Sequence, residues 1–106
     1  MDSKDEKKQD SGAGEDRQTG KEPKSIETFI DIAKFYFINK KYREALEKFE
    51  HCLSIDPGNE EVLLSIGLIH EVNNEIEKAK NVYQAILKKN PDNKAAKEKI
   101  NKLSGL

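Results

Sequence analysis

A single cysteine, Cys52, stands in the 106 residues, which excludes an internal disulfide and a cysteine-rich metal site. No apolar run approaches the roughly 20 residues that cross a bilayer. No apolar stretch follows the charged N-terminus, as a secretory leader requires. That N-terminus is not Arg-rich and acid-poor either, which separates it from an organelle transit peptide. A surplus of one charge sign is missing too. The net charge is −1, so no overall field recruits nucleic acid or a membrane. The chain has no Gly-rich phosphate loop after a strand, and His51 and His70 lack the i,i+4 spacing of a helical metal pair. Cys52 and His51 are neighbours, so on a helix they point in different directions. Cys52 therefore reads as a small buried filler and not as a nucleophile. The expectation is a soluble, cytoplasmic, non-catalytic protein with no cofactor and no metal.

Apolar side chains are scarce in one place above all. Residues 1–24 hold only Met1 and Ala13, among six basic and seven acidic side chains with Gly and Ser between them. Such a segment buries too little surface to offset the entropy of ordering it, and it reads as a disordered arm. Folding must then come from residues 25–106, about 80 residues with a small core.

What is present is a repeat. A shift of 34 residues lays Ala45 on Ala79, Pro57 on Pro91 and Asn59 on Asn93. The same shift lays Phe49 on Tyr83, Leu53 on Leu87, Ile32 on Ile66, Ala33 on Gly67 and Phe29 on Leu63, and it carries Ile66 onto Ile100. Within each unit the apolar spacing is helical. Phe29, Ile32, Ala33 and Tyr36 recur at i, i+3, i+4, i+7, as do Tyr42, Ala45, Leu46, Phe49, Cys52 and Leu53. Helices are predicted over 26–39, 42–55, 60–73, 76–89 and about 94–103. Asp56-Pro57-Gly58-Asn59 and Asn90-Pro91-Asp92-Asn93 punctuate them, and Asn59 suits an N-cap. The fold class is all-α: antiparallel helix-turn-helix repeats in a short five-helix solenoid. The repeats fall at about 26–59 and 60–93. The last helix keeps only Ala96, Ile100 and Leu103 on an apolar side, as a capping helix does.

These residues resemble the tetratricopeptide repeat family, whose 34-residue pattern runs bulky residue, Leu-Gly, Tyr, Ala, aromatic, Pro. Here the pattern reads Phe29, Ile32-Ala33, Tyr36, Ala45, Phe49, Pro57, and then Leu63, Ile66-Gly67, His70, Ala79, Tyr83, Pro91. The second unit departs from it with His70 in place of tyrosine. Cys52 and Ile86 occupy a slot the family fills with alanine. Lys40 and Asn74 stand at the turn where glycine is usual, so the first turn is expected to adjust its geometry. Two full units, where three are the norm, leave three arrangements open: a monomer sustained by its cap, a self-associating chain, or a piece of a longer array.

The resemblance implies that the first helix of each pair lines a concave groove. Carried over, that groove presents Ile30, Asp31, Lys34, Phe37 and Ile38 from the first unit, beside Glu27. From the second it presents Leu64, Ser65, Leu68, Glu71 and Val72, beside Glu61. Helical spacing also sets Ile30, Phe37, Ile38, Leu64, Leu68 and Val72 beside the core stripe and not within it. An apolar strip of that kind marks a contact with another protein, either a helical or extended segment or a neighbouring repeat or homodimer mate. Some family members clamp acidic chaperone tails. The corresponding places here hold Ile30, Lys34, Ser65, Ala95 and Lys99, and only Lys99 keeps the charge type where expected. Residues 88–106 carry six lysines against Asp92 and Glu98. With no aromatics among them, they read as a solvated cap and not a nucleic-acid surface.

Overall fold

The computed structural model describes residues 25–105, and the charged segment 1–24 lies outside the described residues. Five helices follow one another: α1 (Ile26–Ile38), α2 (Tyr42–Ile55), α3 (Glu60–Val72), α4 (Ile76–Lys89) and α5 (Lys94–Leu103). Among the described residues there is no strand. The helix bounds agree with the periodicity to within one residue at each end.

The ends of the helices follow from local chemistry. Each first helix begins at a side-chain cap. Ser25 Oγ accepts from the Thr28 amide, Asn59 Oδ1 from that of Val62 at 3.0 Å, and Asn93 Oδ1 from that of Ala96 at 2.9 Å. Each cap satisfies one amide that the helix leaves unpaired. The second helices lack such a cap, since Lys41 and Glu75 precede them without a side-chain bond. They are held instead by the turn before them. Lys41 N donates to Tyr36 O at 2.9 Å and Lys40 N to Phe37 O at 3.0 Å; Glu75 to His70 and Asn74 to Glu71 repeat the pair. This 6→1 and 5→2 closure needs a left-handed residue at its centre. Lys40 and Asn74 supply it, at φ 62° and 61°. The expected adjustment of the first turn therefore does not occur. Lysine is forced into the same geometry as asparagine, because the bonds on either side dictate it.

Two clusters make the core. The first joins Ile30 and Ala33 of α1, Ala45, Phe49 and Cys52 of α2, and Val62, Ile66 and Ile69 of α3. The second joins Ala79, Tyr83 and Ile86 of α4 to Ala96 of α5. Ala33 and Ala45 are wholly buried, so their small side chains bring α1 and α2 into close approach. Phe49 fills the space beside them, and truncating it would cost about 3–5 kcal/mol. In the second pair Gly67 replaces Ala33 because Tyr83 needs the room: a Cβ on Gly67 would lie 2.4 Å from the tyrosine ring. Cys52 is fully buried, as its place on the stripe implies, and burial pushes its thiol pKa up.

Candidate functional site

The predicted groove residues occupy one stripe on α1 and the corresponding stripe on α3, but they do not share one role. Ile30 is 5% exposed and belongs to the first core cluster. Its placement as a groove residue is corrected for a physical reason: it enters a cluster that gathers residues of α2 and α3 as well as α1, so the buried arc of α1 is wider than a two-helix stripe. Ile32, on the predicted stripe, is correspondingly only half-buried. Phe37 is also drawn inward. It packs on the first cluster and meets Tyr42 edge-on at 5.5 Å. Leu64 packs on the second cluster.

What stays accessible is a shorter apolar row. Ile38 is 75% and Val72 53% exposed, one at the end of each first helix, and Leu68, one turn before Val72 on α3, is half-buried. Asp31 and Lys34 are exposed, while Ser65 and Glu71 are half-buried. Ser65 Oγ donates to the Glu61 carbonyl at 3.0 Å, so its hydroxyl is engaged with its own helix.

Two of the charged residues on these stripes, Lys34 and Glu71, meet opposite charges. Lys34 Nζ on α1 meets Glu61 Oε2 on α3. The hydrogen bond and then the charge of Glu61 raise the Lys34 pKa. Further along, Glu71 Oε2 accepts from Tyr83 Oη on α4 and lies 3.6 Å from Lys99 Nζ on α5. Burial, followed by the bond to the Glu71 carboxylate, pushes the Tyr83 phenol far above its usual range. These two ion pairs tie α1 to α3 and α3 to α5 along the groove.

Two further polar contacts bind turn to helix. Glu60 Oε1 accepts from Asn93 Nδ2 at 2.7 Å and Asn90 Nδ2 at 3.1 Å, and these bonds lower its pKa. His70 Nδ1 lies 2.8 Å from Glu75 Oε1, and this bond holds the Glu75 carboxyl below the usual carboxylate range. His70 is thus a boundary residue bonded to the start of α4. Its unit-one counterparts are Tyr36 and Lys41, so tyrosine-lysine has become a matched histidine-glutamate pair.

Periodicity alone missed Phe35, which is 64% exposed. The signal that finds it is the 34-residue register, since its counterpart is the apolar Ile69. Among the described residues no enclosed pocket forms, and no His, Cys, Asp and Glu gather into a metal-binding group. Among the described residues no helix is long and apolar enough to cross a membrane.

Comparison with known proteins fits this architecture. A family model described as tetratricopeptide repeat matches residues 21–103. The chain is similar to the BBSome complex member BBS4 homolog of Drosophila melanogaster, 36% identical over 56 residues, covering 53% of this chain and 12% of that protein. It is also similar to the uncharacterized protein ycf37 of Guillardia theta, 42% identical over 65 residues, covering 61% of this chain and 36% of that protein. The chain therefore spans well under two thirds of either relative. Among solved structures, the first TPR of Spaghetti (RPAP3) bound to the HSP90 peptide SRMEEVD has the same fold. Its TM-score is 0.69 at 21% identity, over 76% of this chain and 64% of that one.

Proposed function

The chain belongs to the tetratricopeptide repeat family, and from that membership we propose that it is a non-catalytic adaptor. Its groove takes an amphipathic helical or extended segment of another protein. The observation that carries this reading is the apolar row of Ile38, Leu68 and Val72 on successive first helices, accessible beside Lys34 and Glu71, whose charges already meet opposite ones. A ligand seated there gains by covering apolar surface. The solved relative with this fold holds a peptide, which supports the scaffold's use for segment capture.

An acidic tail is the wrong ligand for this groove. Ile30 is core, Ser65 is bonded to its own helix, and both Lys34 and Lys99 face carboxylates of the chain itself. Glu71 stands where an incoming carboxylate would have to displace it from Lys99 and Tyr83. The preferred segment presents apolar side chains at helical or alternate spacing and makes little use of charge.

The test is a double substitution, Ile38→Glu with Val72→Glu, at exposed positions where the fold tolerates charge. Leu64 is avoided because it packs on the second cluster. Partners captured by the wild-type chain are identified by pull-down, and their affinities are measured by titration calorimetry. Loss of tenfold or more in affinity with unchanged helicity supports the groove. Full retention of every partner by the folded double variant sinks it.

A further inference from the structure

The face by which α3 seals onto the first pair recurs, uncovered, on α1. Val62, Ile66 and Ile69 belong to the cluster shared with α1 and α2. One register earlier, the same three positions on α1 are Thr28, Ile32 and Phe35. Ile69 is 0% exposed, whereas Phe35 is 64% exposed. At about 100° per residue, Phe35 points nearly opposite to Ala33, which is wholly buried. The stack thus has a stacking face at this end with no helix laid on it among the described residues.

We infer that this face pairs with the same face of a second copy of the chain, the two α1 helices lying antiparallel about a two-fold axis near Phe35. The charge pattern of α1 is self-complementary in that orientation alone. Glu27 and Asp31 lie in its first half, Lys40 and Lys41 just past its end, and all four are exposed. Antiparallel pairing sets the acids of each copy beside the lysines of the other, twice over. Parallel pairing would set like beside like. Opposed helix dipoles also favour the antiparallel form.

Other occupants from this chain are poorly matched. Residues 1–24 offer only Met1 and Ala13 besides a proline, too little to cover Phe35 and Ile32. The outer face of α5 exposes Lys97, Glu98, Asn101 and Lys102, so head-to-tail stacking would press charges against the phenylalanine. The paired surface is one helix wide, which places the dimer in the small, weak class of interface. It leaves Leu68 and Val72 on α3 uncovered, while Ile38, one turn from Phe35 on α1, borders both surfaces; Val72→Glu alone therefore tests the groove apart from this face.

Sedimentation equilibrium of the full chain from about 10 µM to about 1 mM tests the assignment. The expected mass rises from 12.1 kDa toward its double, while Phe35→Glu, with circular dichroism unchanged, remains monomeric. Two charge variants then fix the orientation: Glu27→Lys with Asp31→Lys, and Lys40→Glu with Lys41→Glu. Each alone associates about tenfold more weakly than wild type, and an equimolar mixture recovers the wild-type affinity, because every cross-contact in the mixed dimer is again acid on base. A wild-type chain that stays monomeric throughout overturns the inference. So does a Phe35→Glu variant that dimerises as wild type does, or a mixture no tighter than its components.

Discussion

The hydroxyl of Tyr83 on α4 donates a 2.5 Å hydrogen bond to the carboxylate of Glu71 near the end of α3, and it passes over Gly67 to get there. In the first pair the same positions are Phe49, Phe37 and Ala33. A polar reach and a missing methyl have been exchanged together for an apolar pair and a methyl.

The two halves of that exchange are therefore coupled. Gly67→Ala gains helix propensity of about 1 kcal/mol but drives its Cβ into the Tyr83 ring, an overpacking cost of about 1–3 kcal/mol. Tyr83→Phe loses a hydrogen bond to a charged group, about 1.5–3 kcal/mol. In the double variant the ring is released from Glu71 and settles over alanine as Phe49 does over Ala33. Urea unfolding of the four proteins should show the double variant less destabilised than the sum of the singles, by at least about 0.5 kcal/mol. Simple additivity would refute the coupling.

Lys40 holds a left-handed conformation that costs a residue with a Cβ about 1–2 kcal/mol. Lys40→Gly should stabilise the chain by about 0.5–1 kcal/mol, the entropy of a freer unfolded glycine taking back part of the relief. Asn74→Gly should gain less, because asparagine already tolerates this geometry. Equal gains at both sites, measured by thermal or urea unfolding, would contradict this account of the turn.

Acid should loosen the fold through Glu60 and Glu75. Both folded carboxyls have pKa values below those of an ordinary glutamate, Glu60 through Asn90 and then Asn93, Glu75 through His70. A depressed folded pKa gives a stability contribution that is full above the unfolded value and is lost as pH falls through the folded one. Carboxyl titration by NMR should place both groups below an ordinary glutamate. Glu60→Gln and Glu75→Gln should each flatten the acid limb of the stability profile. An unchanged acid limb in both variants would count against the bonds described.

Cys52 should react only when the first cluster opens. It is fully buried, and desolvation keeps its thiol protonated near neutrality. Labelling by an aromatic disulfide reagent should be slow in the native state and should accelerate with urea in step with unfolding. Rapid native labelling would mean that the cluster is looser than its packing implies.

Most of the architecture was legible in the sequence because two periods coincide. The 3.6-residue spacing marks each helix, and the 34-residue shift repeats every slot, so Ala45 and Ala79 or Pro57 and Pro91 confirm one another. The groove was less legible. Spacing tells which residues share a face, but not how many helices pack against that face. Ile30 went inward because the first cluster gathers α2 and α3 residues with those of α1, and Phe37 because Tyr42 at the start of α2 meets its ring; a single helix pattern encodes neither. The network of Tyr83, Glu71 and Lys99 was hidden for a related reason: its members lie on three helices, 12 and 16 residues apart, with no periodic signature.

The lysine-rich outer surface of α5 has a consequence for assembly. A stack with apolar faces at both ends can add units in either direction and grow into a fibre. Here one terminal face is apolar and the other is wet and charged. In the antiparallel pair inferred above, the contact uses the same α1 patch on both partners and closes on itself. The exposed charges of α5 then offer that pair no second apolar face among the described residues, and the expected association stops at two.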